Sequence, residues 1–123
     1  MEPTKIRPGA IEGFCAAIDL LQGDREIFSI LGETFIAEAS VWLEDFATTS
    51  HQGDIEKLRQ MLHLYRGFVG QIGATFLLPV LASIHRDLLY GVLPDEQALL
   101  ELRTEFTRTT TDLCTFMSMR SLV

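Results

Sequence analysis

The 123-residue sequence lacks the features that mark nucleic-acid-binding, secreted and membrane-spanning proteins. Its 10 lysines and arginines against 17 aspartates and glutamates give a net charge of −7, whereas a general nucleic-acid binder carries a basic patch. The longest apolar run, residues 75–84, is too short to cross a bilayer and contains a proline. Residues 1–9 have no apolar stretch of the kind found in signal peptides. We therefore expect a cytoplasmic protein without a nucleic-acid or membrane partner.

Cysteine is scarce as well. Cys15 and Cys114 both fall in apolar helical patterns, whereas a small secreted domain relies on a denser disulfide framework. A disulfide between the two remains an alternative, but we expect buried thiols.

Motifs for nucleotide, metal and hydrolytic chemistry are missing too. The chain has no Walker-type or kinase-like glycine loop, so it should not make its own phosphoryl donor. It has no nucleophile elbow and no Glu-x-x-His pair of the di-iron bundles. His51, His63 and His85 lie in three separate segments, without metal-ligand spacing on one helix. We expect no metal site, no cofactor and no kinase activity in this chain.

What the sequence does contain is helical periodicity throughout, with no strand-like alternation. Asp24, Asp54 and Asp95 stand where helix N-caps are expected. The pattern predicts five helices, over about 9–22, 25–48 and 54–72, then one with Pro79 in its first turn that ends near Tyr90, and one over 96–117. These elements predict an all-α fold, an antiparallel four-helix bundle with a short additional N-terminal helix. Residues 1–8 form a predicted flexible lead-in, and 9–123 a single domain.

The apolar stripes of these helices predict the core. For the second helix the predicted buried face is Ile27, Ile30 or Leu31, Phe35, Ala39, Trp42 or Leu43, and Phe46. For the fourth it is Leu77 or Leu78, Leu81, Ile84, Leu88 and Leu89. In the last helix, residues 107–111 are a predicted weak point because β-branched threonines are poor helix formers.

The third helix has two contrasting faces when side chains are placed at about 100° per residue. One side is apolar, with Leu62 and Val69 on its flank, and consists of Leu58, Met61, Tyr65, Phe68 and Ile72. The opposite side is polar or bare, and consists of Glu56, Arg59, Gln60, His63, Arg66, Gly67 and Gly70.

His63 is the candidate functional residue on the polar face. Gly67 and Gly70 leave no side chain to crowd its ring one turn further along, although each interior glycine costs a helix about 1 kcal/mol relative to alanine. Arg59 and Arg66 lie one turn away on either side of His63, within reach of a bound anion. An exposed neutral imidazole can act as a nucleophile. The pattern therefore favours a phosphate acceptor that docks against a partner's active site.

The run from His63 to Ala74 resembles the signature of histidine-containing phosphotransfer (HPt) domains. The positions that match its spacing are His63, Arg66, Gly67, Gly70, Ile72, Gly73 and Ala74. The segment from Gly53 and Asp54 to Leu58 also resembles the family's start of this helix. Tyr65 and Phe68 depart from the family pattern, and both lie on the predicted buried side.

The resemblance implies that His63 accepts a phosphoryl group from the aspartate of one response-regulator receiver domain and passes it to the aspartate of another. The receiver would supply most of the catalytic machinery and Mg²⁺, and a hybrid sensor histidine kinase is a further possible partner. Arg66 would steady the phosphoryl group, and Gly67 and Gly70 would admit the partner. By their positions on the helix, Arg59 would also steady the group, and Gln60 and Gln71 would contact the partner at the rim. A monomer suffices for this role. The alternative is an HPt-like interaction module that binds or sequesters a regulator without phosphotransfer.

Overall fold

The computed structural model describes residues 5–120 and contains five α-helices. They are α1 (Ala10–Leu20), α2 (Arg25–His51), α3 (Ile55–Ile72), α4 (Leu77–Leu89) and α5 (Glu96–Arg120). No strand occurs within the described range. The all-α prediction is confirmed, and Pro79 lies in the first turn of α4 as expected.

Local signals set the helix starts. Asp24, Asp54 and Asp95 each accept a hydrogen bond from the backbone N–H three residues later, at 3.0, 3.1 and 2.8 Å. These bonds satisfy N–H groups that have no partner within the helix. The three predicted N-caps are therefore confirmed. Helix α2 continues to His51, beyond the predicted end near residue 48.

The helices α2 to α5 close into a ring in which α2 and α4 each pack against both α3 and α5. Only short turns join consecutive helices, so each helix packs beside the one that precedes it in the chain. Helix α1 packs across the bundle, mainly on α3. This arrangement agrees with a helical bundle that carries one extra N-terminal helix.

The core is apolar and includes an aromatic cluster between α1, α2 and α5. Phe28 of α2 is 2% exposed, and its ring lies 6.2 Å from Phe14 and 5.8 Å from Phe116. The prediction that Ile27 faces the core is wrong, since it is 44% exposed. Of the alternatives Ile30 and Leu31, Leu31 packs against the core and Ile30 is 58% exposed. Phe28 fills the space between α1 and α5, which turns its neighbour Ile27 outward.

Two further core predictions are wrong because an adjacent residue on the same helix occupies the buried position. Leu89 is 56% exposed because α4 buries Leu88 beside it. Cys114 is exposed, while Cys15 is half-buried, so the prediction of two buried thiols is wrong. The residues on either side of Cys114 in α5, Leu113 and Thr115, are buried. No disulfide joins the two cysteines.

Helix α5 passes without a break through the threonine-rich stretch predicted to be weak. The hydroxyl groups of Thr107 and Thr111 donate hydrogen bonds to the backbone carbonyls four residues earlier, at 3.0 and 3.1 Å. These bonds satisfy the hydroxyls on the helix itself. Tertiary packing on α2 and α4 then outweighs the low helix propensity of the stretch.

Part of the predicted flexible lead-in is docked on the bundle. Residues 1–4 lie outside the described residues, as do 121–123 at the end of the predicted domain. Arg7 contacts Asp112 through Nε and Glu105 through Nη2, at 2.7 Å each. Its guanidinium carbon also lies 4.4 Å from the ring centre of Phe76. These contacts pair the buried carboxylate of Asp112, which would otherwise be costly in the core.

Within the part of the chain that the structure describes, no helix has the length and apolar character needed to span a membrane.

Candidate functional site

Helix α3 presents the predicted two faces. Its buried side chains are Leu58, Leu62, Tyr65, Val69 and Ile72, and its exposed opposite side carries Glu56, Arg59, Gln60, His63, Arg66, Gly67 and Gly70. The centre of the buried face is shifted towards Leu62 and Val69, which leaves Met61 and Phe68 half-buried at its edge. Gln71, the predicted rim residue, is exposed. His63 therefore projects from the middle of the bundle's third helix into solvent.

The space beside His63 is open. A Cβ atom added at Gly67 or at Gly70 would meet no heavy atom within 4 Å among the described residues. Packing among residues 5–120 therefore does not require a glycine at either position. Both residues lower the helix propensity of α3 and keep the surface next to the imidazole free of side chains.

The two arginines near His63 differ in their surroundings. Arg59 pairs with Glu56, one turn earlier, with Nη1 3.4 Å from Oε1. Arg66 is exposed and has no ion pair with any carboxylate in the described range. Of the two arginines predicted to bind the phosphoryl group, Arg66 is therefore the one without an ion pair among the described residues.

An aromatic cluster holds α3 against α2 beneath this face. The rings of Trp42 and Tyr65 are stacked with their centres 5.0 Å apart, and Phe68 meets Trp42 edge-on at 5.5 Å. The Tyr65 hydroxyl donates a hydrogen bond to the Trp42 carbonyl at 3.2 Å. Tyr65 and Phe68, which depart from the family pattern, thus pack against α2 and orient the helix that carries His63.

The environment of Tyr65 predicts a loss of stability in alkaline solution. Burial, with the nearby Asp45 carboxylate, raises the pKa of Tyr65 from 10.0 to about 12. Between these values the unfolded chain loses the phenolic proton and the folded chain keeps it, so the free energy of unfolding falls as pH rises. We expect this decline from pH 10 to 12 in urea titrations, and a smaller one in Tyr65→Phe. Equal declines in both proteins would contradict the assignment.

Sequence reasoning missed a pocket between α2 and α3, next to the His63 face. We call it the α2–α3 pocket; its volume is about 440 Å³, and it is lined by Trp42, Asp45, Thr48, Thr49, Gln52, Lys57, Met61, Leu64 and Tyr65. Trp42 and Asp45 stand one turn apart on α2, which places them on one side of that helix. This spacing was the signal available in the sequence. The pocket itself forms only because α3 packs beside that side of α2.

The other two histidines are in different settings. His51 lies at the end of α2, with Nε2 3.5 Å from a carboxylate oxygen of Glu96, and His85 is half-buried on α4. Residues 5–120 contain no group of three or more His, Cys, Asp or Glu side chains placed to hold a metal ion. The structure does not bring His51, His63 and His85 into one such group.

No protein-family model, curated protein or solved structure matches this chain. The likeness to HPt domains therefore depends on the signature that begins at His63, considered together with the geometry of α3.

Proposed function

We propose that this chain is a phosphorelay intermediate of the HPt type, which carries a phosphoryl group on His63 between receiver-domain aspartates. The observation that carries the proposal is the exposed His63 beside open space at Gly67 and Gly70. Two glycines in a helix interior together cost about 2 kcal/mol of helix stability relative to alanine. Since nothing in the described chain needs them, a partner that approaches His63 closely is the physical reason we infer for them.

In the proposed reaction, a ring nitrogen of His63 uses its lone pair to attack the phosphorus of a partner's aspartyl phosphate in line with the breaking bond. Nε2, which is farther from the backbone, is the proposed nucleophile. An N–P bond forms as the O–P bond breaks, and the bonding electrons leave with the partner's carboxylate. The second transfer reverses these roles, with the next receiver's aspartate as the attacking group.

The chain's own residues would position the group and admit the partner, and the receiver would bring the catalytic Mg²⁺. Arg66, one turn from His63, is the proposed cation that steadies the phosphoryl oxygens. Gln60 and Gln71 are proposed rim contacts. In this scheme the protein is a carrier that acts in the cytoplasm without its own kinase activity, and not an independent enzyme.

The test is incubation of the protein with a panel of purified, phosphorylated receiver domains, followed by peptide mapping. The proposal expects label that is lost in acid, is retained in base, and maps to the peptide containing His63. Label on another peptide would contradict the site, and absence of label with every receiver would contradict the carrier role.

The second candidate is an interaction module that binds a regulator without phosphotransfer. The α2–α3 pocket supports it, since an open pocket with aromatic walls can bind a partner whether or not His63 reacts. The two candidates differ in one result. A receiver that binds tightly yet never labels His63 would favour the interaction module.

Replacing Gly67 with leucine should impair docking of the partner without impairing the folding of the protein. Its side chain would fill the open space one turn from His63, and the helix would gain propensity. We expect Gly67→Leu to slow phosphotransfer from a receiver at least about ten-fold by obstructing the partner, with no loss of thermal stability. Ala37→Leu, at an exposed position of α2, is the matched control and should transfer normally. Normal transfer in both variants would mean that no partner approaches across Gly67.

A further inference from the structure

The α2–α3 pocket has a polarity along its length. Asp45 stands one turn after Trp42 on α2, on the side of the stacked rings of Trp42 and Tyr65. Lys57 is the third residue of α3 and lies near the turn between the helices, about 12 Å along α3 from Tyr65. Asp45 therefore lies towards the aromatic end of the pocket and Lys57 towards the turn.

The Asp45 end suits a cation. Asp45 is exposed and, among residues 5–119, forms no hydrogen bond or ion pair through its carboxylate. The aromatic pair beside it gives the pocket an apolar wall, against which the methylene stem of a long cationic side chain can pack. Met61 and Leu64 extend the apolar wall along α3. An arginine or lysine side chain matches this combination of an apolar wall and an unpaired carboxylate.

The pocket is also continuous with the His63 face. At about 100° per residue, Gln60 and Gly67 lie between His63 and Leu64 around α3. Leu64 is 64% exposed and lines the pocket, and Gly67 adds no side chain between the two. On the Gly67 side, a partner that covers His63 therefore reaches Leu64 at the edge of the pocket without an intervening side chain, and on the other side it meets Gln60.

We propose that the α2–α3 pocket is the anchoring subsite for the receiver partner, and that it takes an arginine or lysine side chain whose charge pairs with Asp45. This inference rests on the proposed phosphorelay function and names the contact that selects the partner. Charge complementarity of this kind favours matching partners and disfavours those with a carboxylate at the same place.

The experiment measures transfer from a phosphorylated receiver that labels His63 to three proteins: wild type, Asp45→Lys and Glu44→Lys. Glu44 is the neighbouring exposed carboxylate on α2 and does not line the pocket. Its replacement by lysine changes the net charge by the same amount as Asp45→Lys. In single-turnover transfer, KM is the receiver concentration that gives half of the maximal transfer rate, and kcat is that maximal rate. We expect Asp45→Lys to raise this KM about ten-fold or more, with kcat within about two-fold. Glu44→Lys should remain within about two-fold of wild type on both constants. Matching thermal denaturation curves would show that all three proteins are folded.

Restoration of transfer supplies the second measurement. Each arginine and lysine on the receiver's docking side is changed to glutamate in turn and tested with Asp45→Lys. The proposal expects one of these changes to restore transfer to Asp45→Lys and to impair transfer to wild type.

The remaining outcomes would overturn the inference. Equal KM increases in Asp45→Lys and Glu44→Lys would show a general charge effect, and an unchanged KM in Asp45→Lys would show an empty pocket. Concentration-dependent dimers of the wild type that Asp45→Lys abolishes, with KM unchanged, would assign the pocket to a second copy of this chain. Failure of the proposed function is distinguishable, because then no receiver labels His63 even in the wild type.

Discussion

Replacing His63 with glutamine should abolish phosphoryl acceptance and leave the bundle folded. Glutamine has a similar length and stays polar, but its amide nitrogen has no lone pair available for attack on phosphorus. Because His63 is exposed and has no hydrogen bond to lose in the described structure, the free energy of unfolding should change by less than about 0.5 kcal/mol. The measurement is acid-labile label after incubation with a phosphorylated receiver, alongside thermal denaturation.

His51→Gln is the matched control for that experiment. His51 is also an exposed histidine on the bundle, at the end of α2, so this variant should be labelled like the wild type. Label that persisted in His63→Gln would move the acceptor to another residue. Label lost from both variants would point to an indirect effect of removing any surface histidine.

Gly73→Ala should be the most destabilising single-methyl change in the protein. Gly73 ends α3 with a φ of +72°, a left-handed conformation that costs an alanine about 1–2 kcal/mol. Its added Cβ would also overlap the carbonyl oxygen of Gly13, where α1 crosses the end of α3. The two nearest atoms belong to the Gly13 backbone and the next is the Cβ of Ala17, so relief requires the two helices to separate. We expect a loss of about 3 kcal/mol in the free energy of unfolding, from strain and overpacking together.

Gly91→Ala isolates the contribution of the helix crossing. Gly91 has a φ of +76°, close to that of Gly73, but a Cβ there would meet no atom within 4 Å among the described residues. This variant should show the backbone cost alone, about 1–2 kcal/mol. Urea denaturation of both variants gives the comparison. Equal losses would mean that the crossing of α1 and α3 accommodates the added methyl group without cost.

The helices and their starts could be predicted because the forces that set them are local. Asp24, Asp54 and Asp95 cap the helices through N–H groups only three residues away. The two faces of α3 follow from helical periodicity, and so the exposure of His63 was also predictable. The HPt resemblance itself is read from the same short segment and stays a prediction about function.

The errors and omissions arise where distant segments meet. Periodicity alone did not distinguish Ile27 from Phe28, because the choice depends on the space left between α1 and α5. Arg7 sits 105 residues before its partner Asp112 in the chain, so no pattern window covers the pair. Asp112, a charged residue at a buried position of α5, was the available sign that a partner was needed.

The sequence by itself determined which segments are helical, where three of them start, and that His63 faces solvent beside Gly67 and Gly70. These properties depend on residues within one or two helical turns. The tertiary structure alone decided that Gly73 lies against Gly13, that Arg7 pairs with Asp112, and that Trp42, Asp45 and Tyr65 border a common pocket. Each of these contacts exists only when helices pack at a particular distance and rotation, which side-chain volumes across the whole core determine together.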